Sequence, residues 1–135
     1  MRTPRLSYLI VGLAFALAAA VPALGHQLPS EVPAKAKARK NPVPNDEASI
    51  RAGQAIYEEQ CLSCHGSAGR GDGPDAKGLR HPPAPVARIL RRQTDGALFW
   101  KISRGGGQMP SYEESLTEEE RWQVIRYMRK LERGP

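Results

Sequence analysis

The sequence predicts an all-α domain, small and wrapped around one covalently attached prosthetic group. Three observations carry that prediction. Apolar residues recur at helical spacing in three segments with recognisable caps. No segment shows the sustained apolar–polar alternation of a half-buried strand. Finally, Cys61-Leu62-Ser63-Cys64-His65 is a CxxCH, the spacing at which a c-type haem is attached.

The chain opens with Arg2 and Arg5, followed by an uncharged apolar run from Leu6 to Val21. Pro22 breaks the run, and Ala23 and Gly25 stand at the −3 and −1 positions of a small-residue cleavage site. This is the order of a secretory signal peptide over residues 1–25. An uncleaved anchor in the inner membrane is the competing reading, because the run is near the lower limit for spanning a bilayer. Either way the remainder is exported, which predicts a periplasmic protein and excludes nucleic acid as a partner.

Residues 26–45 carry Pro29, Pro33, Pro42 and Pro44 with the basic cluster Lys35, Lys37, Arg39 and Lys40. So few large apolar residues cannot offset the entropy of ordering, so the segment reads as an extended, disordered linker. The cluster is a solvated tether or, alternatively, a patch attracted to anionic lipid or an acidic partner. The compact domain is then 46–135, small for a free-standing core unless a porphyrin supplies apolar volume.

The first helix is expected over 46–60, with Asn45 as its cap. Ile50, Gly53 and Tyr57 share one face. A glycine inside a helix costs about 1 kcal/mol relative to alanine, which makes sense where another helix crosses closely. The second helix is expected over 95–104, capped by Thr94, with Leu98, Phe99 and Ile102 apolar and Gly105 ending it. The third begins at a Thr117–Glu120 capping box. Its apolar stripe is Val124, Tyr127, Met128 and Leu131.

The chemistry of the CxxCH requires its spacing. Cys61 and Cys64 can each add to one vinyl group of a single porphyrin, which places His65 where its imidazole binds iron. One such motif implies one haem c. A zinc site lacks further ligands of suitable spacing, and a thioredoxin pair should follow a strand. The second axial position has three candidates. Met128 lies on the stripe of the last helix and reads as core. His81 sits in a proline-rich loop. Met109, between Gly105-Gly106-Gly107 and Pro110, is the better ligand on sequence grounds.

Together these residues resemble the class I cytochromes c, in particular small bacterial monohaem members. The resemblance rests on Gly53 and Tyr57, the CxxCH with Gly66, Gly69 to Pro74, Thr94-Asp95-Gly96, Met109-Pro110, and Leu116 through Trp122 and Tyr127. It implies that the first and last helices cross, with Gly53 against Tyr127. It further implies that a proline carbonyl, of Pro82 or Pro83, accepts the free N–H of the proximal His65. Tyr112 and Trp100 are expected in the haem pocket or the core.

The function that follows is one-electron transfer with His65/Met109 ligation, with no enzymatic step and no small-molecule substrate. The partners expected are redox proteins of a respiratory or dehydrogenase system. The formal net charge is +6, and Arg80, Arg88, Arg91, Arg92, Lys101 and Arg104 predict a basic rim that docks on acidic patches. Two alternatives stand beside it. One is a tethered cytochrome subunit of an oxidase or dehydrogenase, with membrane contact through the N-terminal segment. The other is a haem sensor or enzyme, if Met109 does not ligate.

Overall fold

A computed structural model describes residues 31–133. The expected export segment, and residues 26–30 of the expected linker, lie outside the described residues. The architecture is helical: α1 (Ala34–Lys37), α2 (Glu47–Gln60), α3 (Leu62–His65), a 3-10 turn (Pro74–Gly78), α4 (Val86–Leu90), α5 (Asp95–Arg104) and α6 (Glu118–Arg133). Among the described residues the only β pairing is an isolated bridge between Gly106 and Met109.

The three expected helices are present, and their ends follow from capping chemistry. α2 is capped by Asp46 rather than Asn45. The Asp46 carboxylate accepts from Ser49 N at 2.8 Å, which holds its pKa below the usual range. In α5, Thr94 Oγ1 accepts from Ala97 N at 3.2 Å, and Gly105 at φ 66° ends the helix. The capping box of α6 is reciprocal: Thr117 Oγ1 accepts from Glu120 N at 3.2 Å, and Glu120 Oε2 accepts from Thr117 N at 2.7 Å.

The core forms where α2 crosses α6. A Cβ on Gly53 would stand 2.0 Å from the carbonyl oxygen of Gln123, so only glycine lets the backbones touch. Gly53 thus meets the α6 backbone at Gln123 and Val124. Tyr127 packs on Tyr57, one turn along from Gly53, with ring centroids 5.3 Å apart. Ile125, Val124 and Trp122 are almost wholly buried beside them, and Trp122 stacks on Phe99 at 4.1 Å. Trp100 is half-buried and stays outside this cluster.

The expected disordered linker is corrected for residues 31–45, which form a strap docked on α5 and α6. Val32 and Val43 are buried. Asn41 Nδ2 donates to Trp122 O at 3.0 Å, Arg126 Nε to Val43 O at 2.9 Å, and Thr94 Oγ1 to Lys37 O at 2.7 Å. Arg39 is exposed but engaged: its guanidinium lies 4.5 Å from the Phe99 ring centroid and pairs with Glu118. Composition misled here because the donors that order the strap sit on other elements. Prolines also lower the entropy lost on ordering.

Candidate functional site

The site is built on one helical turn. His65 N donates to Cys61 O at 2.8 Å, and Gly66 N to Leu62 O at 2.8 Å. Cys61, Cys64 and His65 therefore stand at i, i+3 and i+4, the spacing that puts three side chains on one face. The turn is braced from outside. Tyr57 Oη donates to Gly66 O at 2.9 Å, and Gly71 N to His65 O at 2.8 Å.

That face borders a cleft with two lobes. The outer lobe, of about 350 Å³, is lined by Cys61, Cys64, His65, Met109 and Tyr112, and by the loop carrying His81 and Pro83. The inner lobe, of about 90 Å³, is almost entirely apolar and reaches Leu98, Ile102, Val124 and Met128. Cys61, His65, Met109 and Tyr112 border both. Tyr112 is buried, and its hydroxyl donates to Gln60 O at 2.8 Å, tying the loop after Met109 to the end of α2.

The electrostatics follow from burial. The Cys61 thiol is pushed up to about 12, first by burial and then by the neighbouring Cys64. Burial lowers the His65 pKa, so its imidazole is neutral at neutral pH, the form that binds a metal. Burial raises Tyr112, and the two cysteines add to it. Both thiols are free.

Most sequence-predicted site residues meet in this cleft. Cys61, Cys64, His65, Met109, Tyr112 and Pro83 border it; Pro82 does not. His81 borders only the outer lobe and is exposed, with its backbone N–H bonded to Gln108 Oε1 at 3.1 Å. Met109, half-buried, borders both lobes. The proline expectation is corrected: His65 Nδ1 is buried with no partner, and neither proline carbonyl accepts from it. The Pro83 carbonyl instead packs against Gly71, where a Cβ would stand 2.0 Å away and φ is +78°. Met128, read as core, packs against the core and also borders the inner lobe. One residue of the cleft escaped sequence reasoning: Lys101 read as rim although it stands at i+3 from Leu98.

The donor set fits a haem. Two thiols on one turn can form thioethers, a neutral imidazole beside them can bind iron, and a thioether sulfur on the facing loop is a soft ligand. An orphaned buried polar atom costs about 1–3 kcal/mol. The orphan here is on His65, whose other ring nitrogen is the expected ligand.

Comparison with known proteins gives the same answer. A family profile described as cytochrome c oxidase, cbb3-type, subunit III matches residues 48–128. Among solved structures, a chain of the reducing HAO-like protein complex Kustc0457/Kustc0458 from Kuenenia stuttgartiensis is 31% identical, with a TM-score of 0.59; the match covers 67% of this chain. This chain spans 46% of that one's length. A second, a c-type cytochrome designated KustC0563, shares the fold at 24% identity and a TM-score of 0.52, over 58% of this chain and 95% of that one. No curated protein matches. Domains of this kind hold haem c covalently and transfer electrons, as the CxxCH wall of the cleft requires. The match from 48 to 128 runs from α2 through α6 and takes in the whole cleft, and the chain belongs to the family of cbb3-type cytochrome c oxidase subunit III.

Proposed function

We propose that this chain is an exported one-electron carrier, not an enzyme, holding one haem through Cys61 and Cys64 with His65 and Met109 as the axial ligands. The observation that carries the reading is the cleft itself: thiols, neutral imidazole and thioether border one apolar space. When bound, the haem supplies a single Fe(III)/Fe(II) couple. The chain does the rest. Burial keeps His65 unprotonated, so the ligand is available without displacing a proton. Leu98, Ile102 and Val124 exclude water from the inner lobe, which favours the less charged ferrous state. Met109 is held by a tight turn in which Gly106 N donates to Met109 O at 2.9 Å and Met109 N to Gly106 O at 3.1 Å. A turn closed on both sides holds its ligand through repeated cycles, which keeps reorganisation small.

The N-terminal pattern and the haem-attachment motif both support a periplasmic location, because c-type haem is attached outside the cytoplasm. Among the described residues no helix is long and apolar enough to cross a membrane. Partners are redox proteins with acidic docking patches. Arg80, Arg88, Arg91, Arg92 and Arg104 are exposed and form no ion pair among the described residues, which supports docking on such patches. Two findings favour a subunit over a free shuttle: the family is named for an oxidase subunit, and a similar solved chain comes from a complex. The docked strap shortens any tether to residues before Glu31.

The test is the ferric visible spectrum of the exported holoprotein and of Met109→Ala and His81→Ala. The expected result is a sulfur-to-iron charge-transfer band that Met109→Ala abolishes and His81→Ala leaves. Its absence from the unmutated protein, or its loss only in His81→Ala, overturns the ligand assignment. Sequencing the mature N-terminus and identifying co-purified proteins separates shuttle from subunit.

A further inference from the structure

On the reading that a haem fills the cleft, we propose that Lys101 is the cation that pairs with a haem propionate. α5 presents Leu98, Lys101 and Ile102 to the inner lobe at i, i+3 and i+4. Leu98 and Ile102 are core residues, 3% and 8% exposed, while Lys101 is half-buried on the same face. A charge on an apolar face is costly unless something compensates it. No ion pair among the described residues does so. The ion pairs of the described residues use Glu31, Glu118, Glu47, Asp95 and Glu132, and none includes Lys101. The residues outside the described range contain no Asp or Glu.

Among the Lys, Arg, Asp and Glu side chains of the described residues, Lys101 alone borders either lobe. A porphyrin of this class brings two carboxylates, and a carboxylate entering an apolar space needs a charged partner there. Lys101 suits that task. It also borders a second, more polar pocket with Glu31, Lys37, Arg92 and Thr94, where Glu31 is already paired with Lys37 at 3.3 Å, so Lys101 stands at the boundary between that pocket and the apolar lobe. A flexible four-carbon stem with a compact charge reaches a carboxylate at such a boundary.

The pairing has an electrochemical consequence. Removing the cation leaves a negative charge uncompensated beside the iron, and a negative charge favours the ferric state. The test measures the reduction potential of the holoprotein by spectroelectrochemistry for Lys101→Met, Lys101→Arg and Lys77→Gln. Lys101→Met keeps the apolar stem and removes the charge; if it does not accumulate, Lys101→Gln replaces it. The expected result is a three- to tenfold rise in the ferric-to-ferrous ratio at fixed potential for Lys101→Met, tenfold being 59 mV for a one-electron couple. Lys101→Arg and Lys77→Gln, at an exposed position, stay within twofold. A haem-loaded Lys101→Met that moves less than twofold, or no more than Lys77→Gln, overturns the pairing. An unmutated chain that carries no covalent haem overturns the reading on which it rests instead.

Discussion

Replacing Gly53 with alanine tests the contact on which the core depends. In an isolated helix the change should stabilise, by about 1 kcal/mol, because alanine is the better helix former. In this fold the added Cβ would lie 2.0 Å from Gln123 O, 2.6 Å from Gln123 C and 3.1 Å from Val124 N. All three atoms are backbone of α6, so no side chain can rotate away. Restoring an ordinary contact of 3.4 Å requires α2 and α6 to separate by about 1.4 Å. A radial gap of even 0.5–1 Å forfeits roughly a quarter to a half of the dispersion energy of each contact. The loss falls on Tyr57, Val124 and Tyr127, which pack beside the crossing. Overpacking of this kind costs about 1–3 kcal/mol in general, and a backbone obstacle sits at the upper end or beyond it. Net of the propensity gain, Gly53→Ala should destabilise by about 2–4 kcal/mol. For a domain of this size that is a fall of roughly 10–25 °C in Tm. Thermal and urea unfolding of the holoprotein measure it, with exposed Ala55→Gly as a control that should lose only about 1 kcal/mol through propensity. A Gly53→Ala protein as stable as the unmutated one, or more so, would show that the crossing is not as tight as described.

Thr117→Ala removes the hydroxyl that accepts from Glu120 N and should cost about 1 kcal/mol in urea unfolding, with the visible spectrum unchanged. Stability should also fall in acid for a defined reason. Glu118 is held below the usual carboxylate range chiefly by the Arg39 guanidinium and then by Trp122; Glu120 by the Thr117 backbone N–H and hydroxyl. A carboxylate whose folded pKa is depressed binds fewer protons folded than unfolded. Its contribution is therefore present above the unfolded value of 4.5 and lost as pH falls through the lowered folded value. Glu118→Gln should flatten the fall in urea midpoint as pH drops below 4.5; an unchanged slope would remove the Arg39–Glu118 pair as its source.

The helices that carry the core were legible because their signals are local. Thr94 with Gly105, and Thr117 with Glu120, mark the ends of α5 and α6 through bonds spanning a few residues. The attachment wall was legible for the same reason: Cys61, Cys64 and His65 share a face within one turn. The short helices Ala34–Lys37 and Val86–Leu90 were not legible, since pieces so short have little periodicity and depend on packing against α5 and α6. The strap was misread because its hydrogen-bond partners, Trp122 O and the Arg126 guanidinium, lie more than eighty positions away.

The sequence by itself determined the motif on which the haem reading rests. A CxxCH sets two thiols and an imidazole on one face of one helical turn, because that spacing is local. Tertiary structure decided everything that needs two distant segments to meet. It closed the cleft with α5, α6 and the Met109 loop, left His65 Nδ1 without the proline carbonyl expected for it, and docked a basic, proline-rich segment as a strap. It also turned Lys101 from one more surface cation into the lone full charge, among the described residues, beside an apolar lobe. Burial and pairing are sums over neighbours in space, and linear spacing does not contain them.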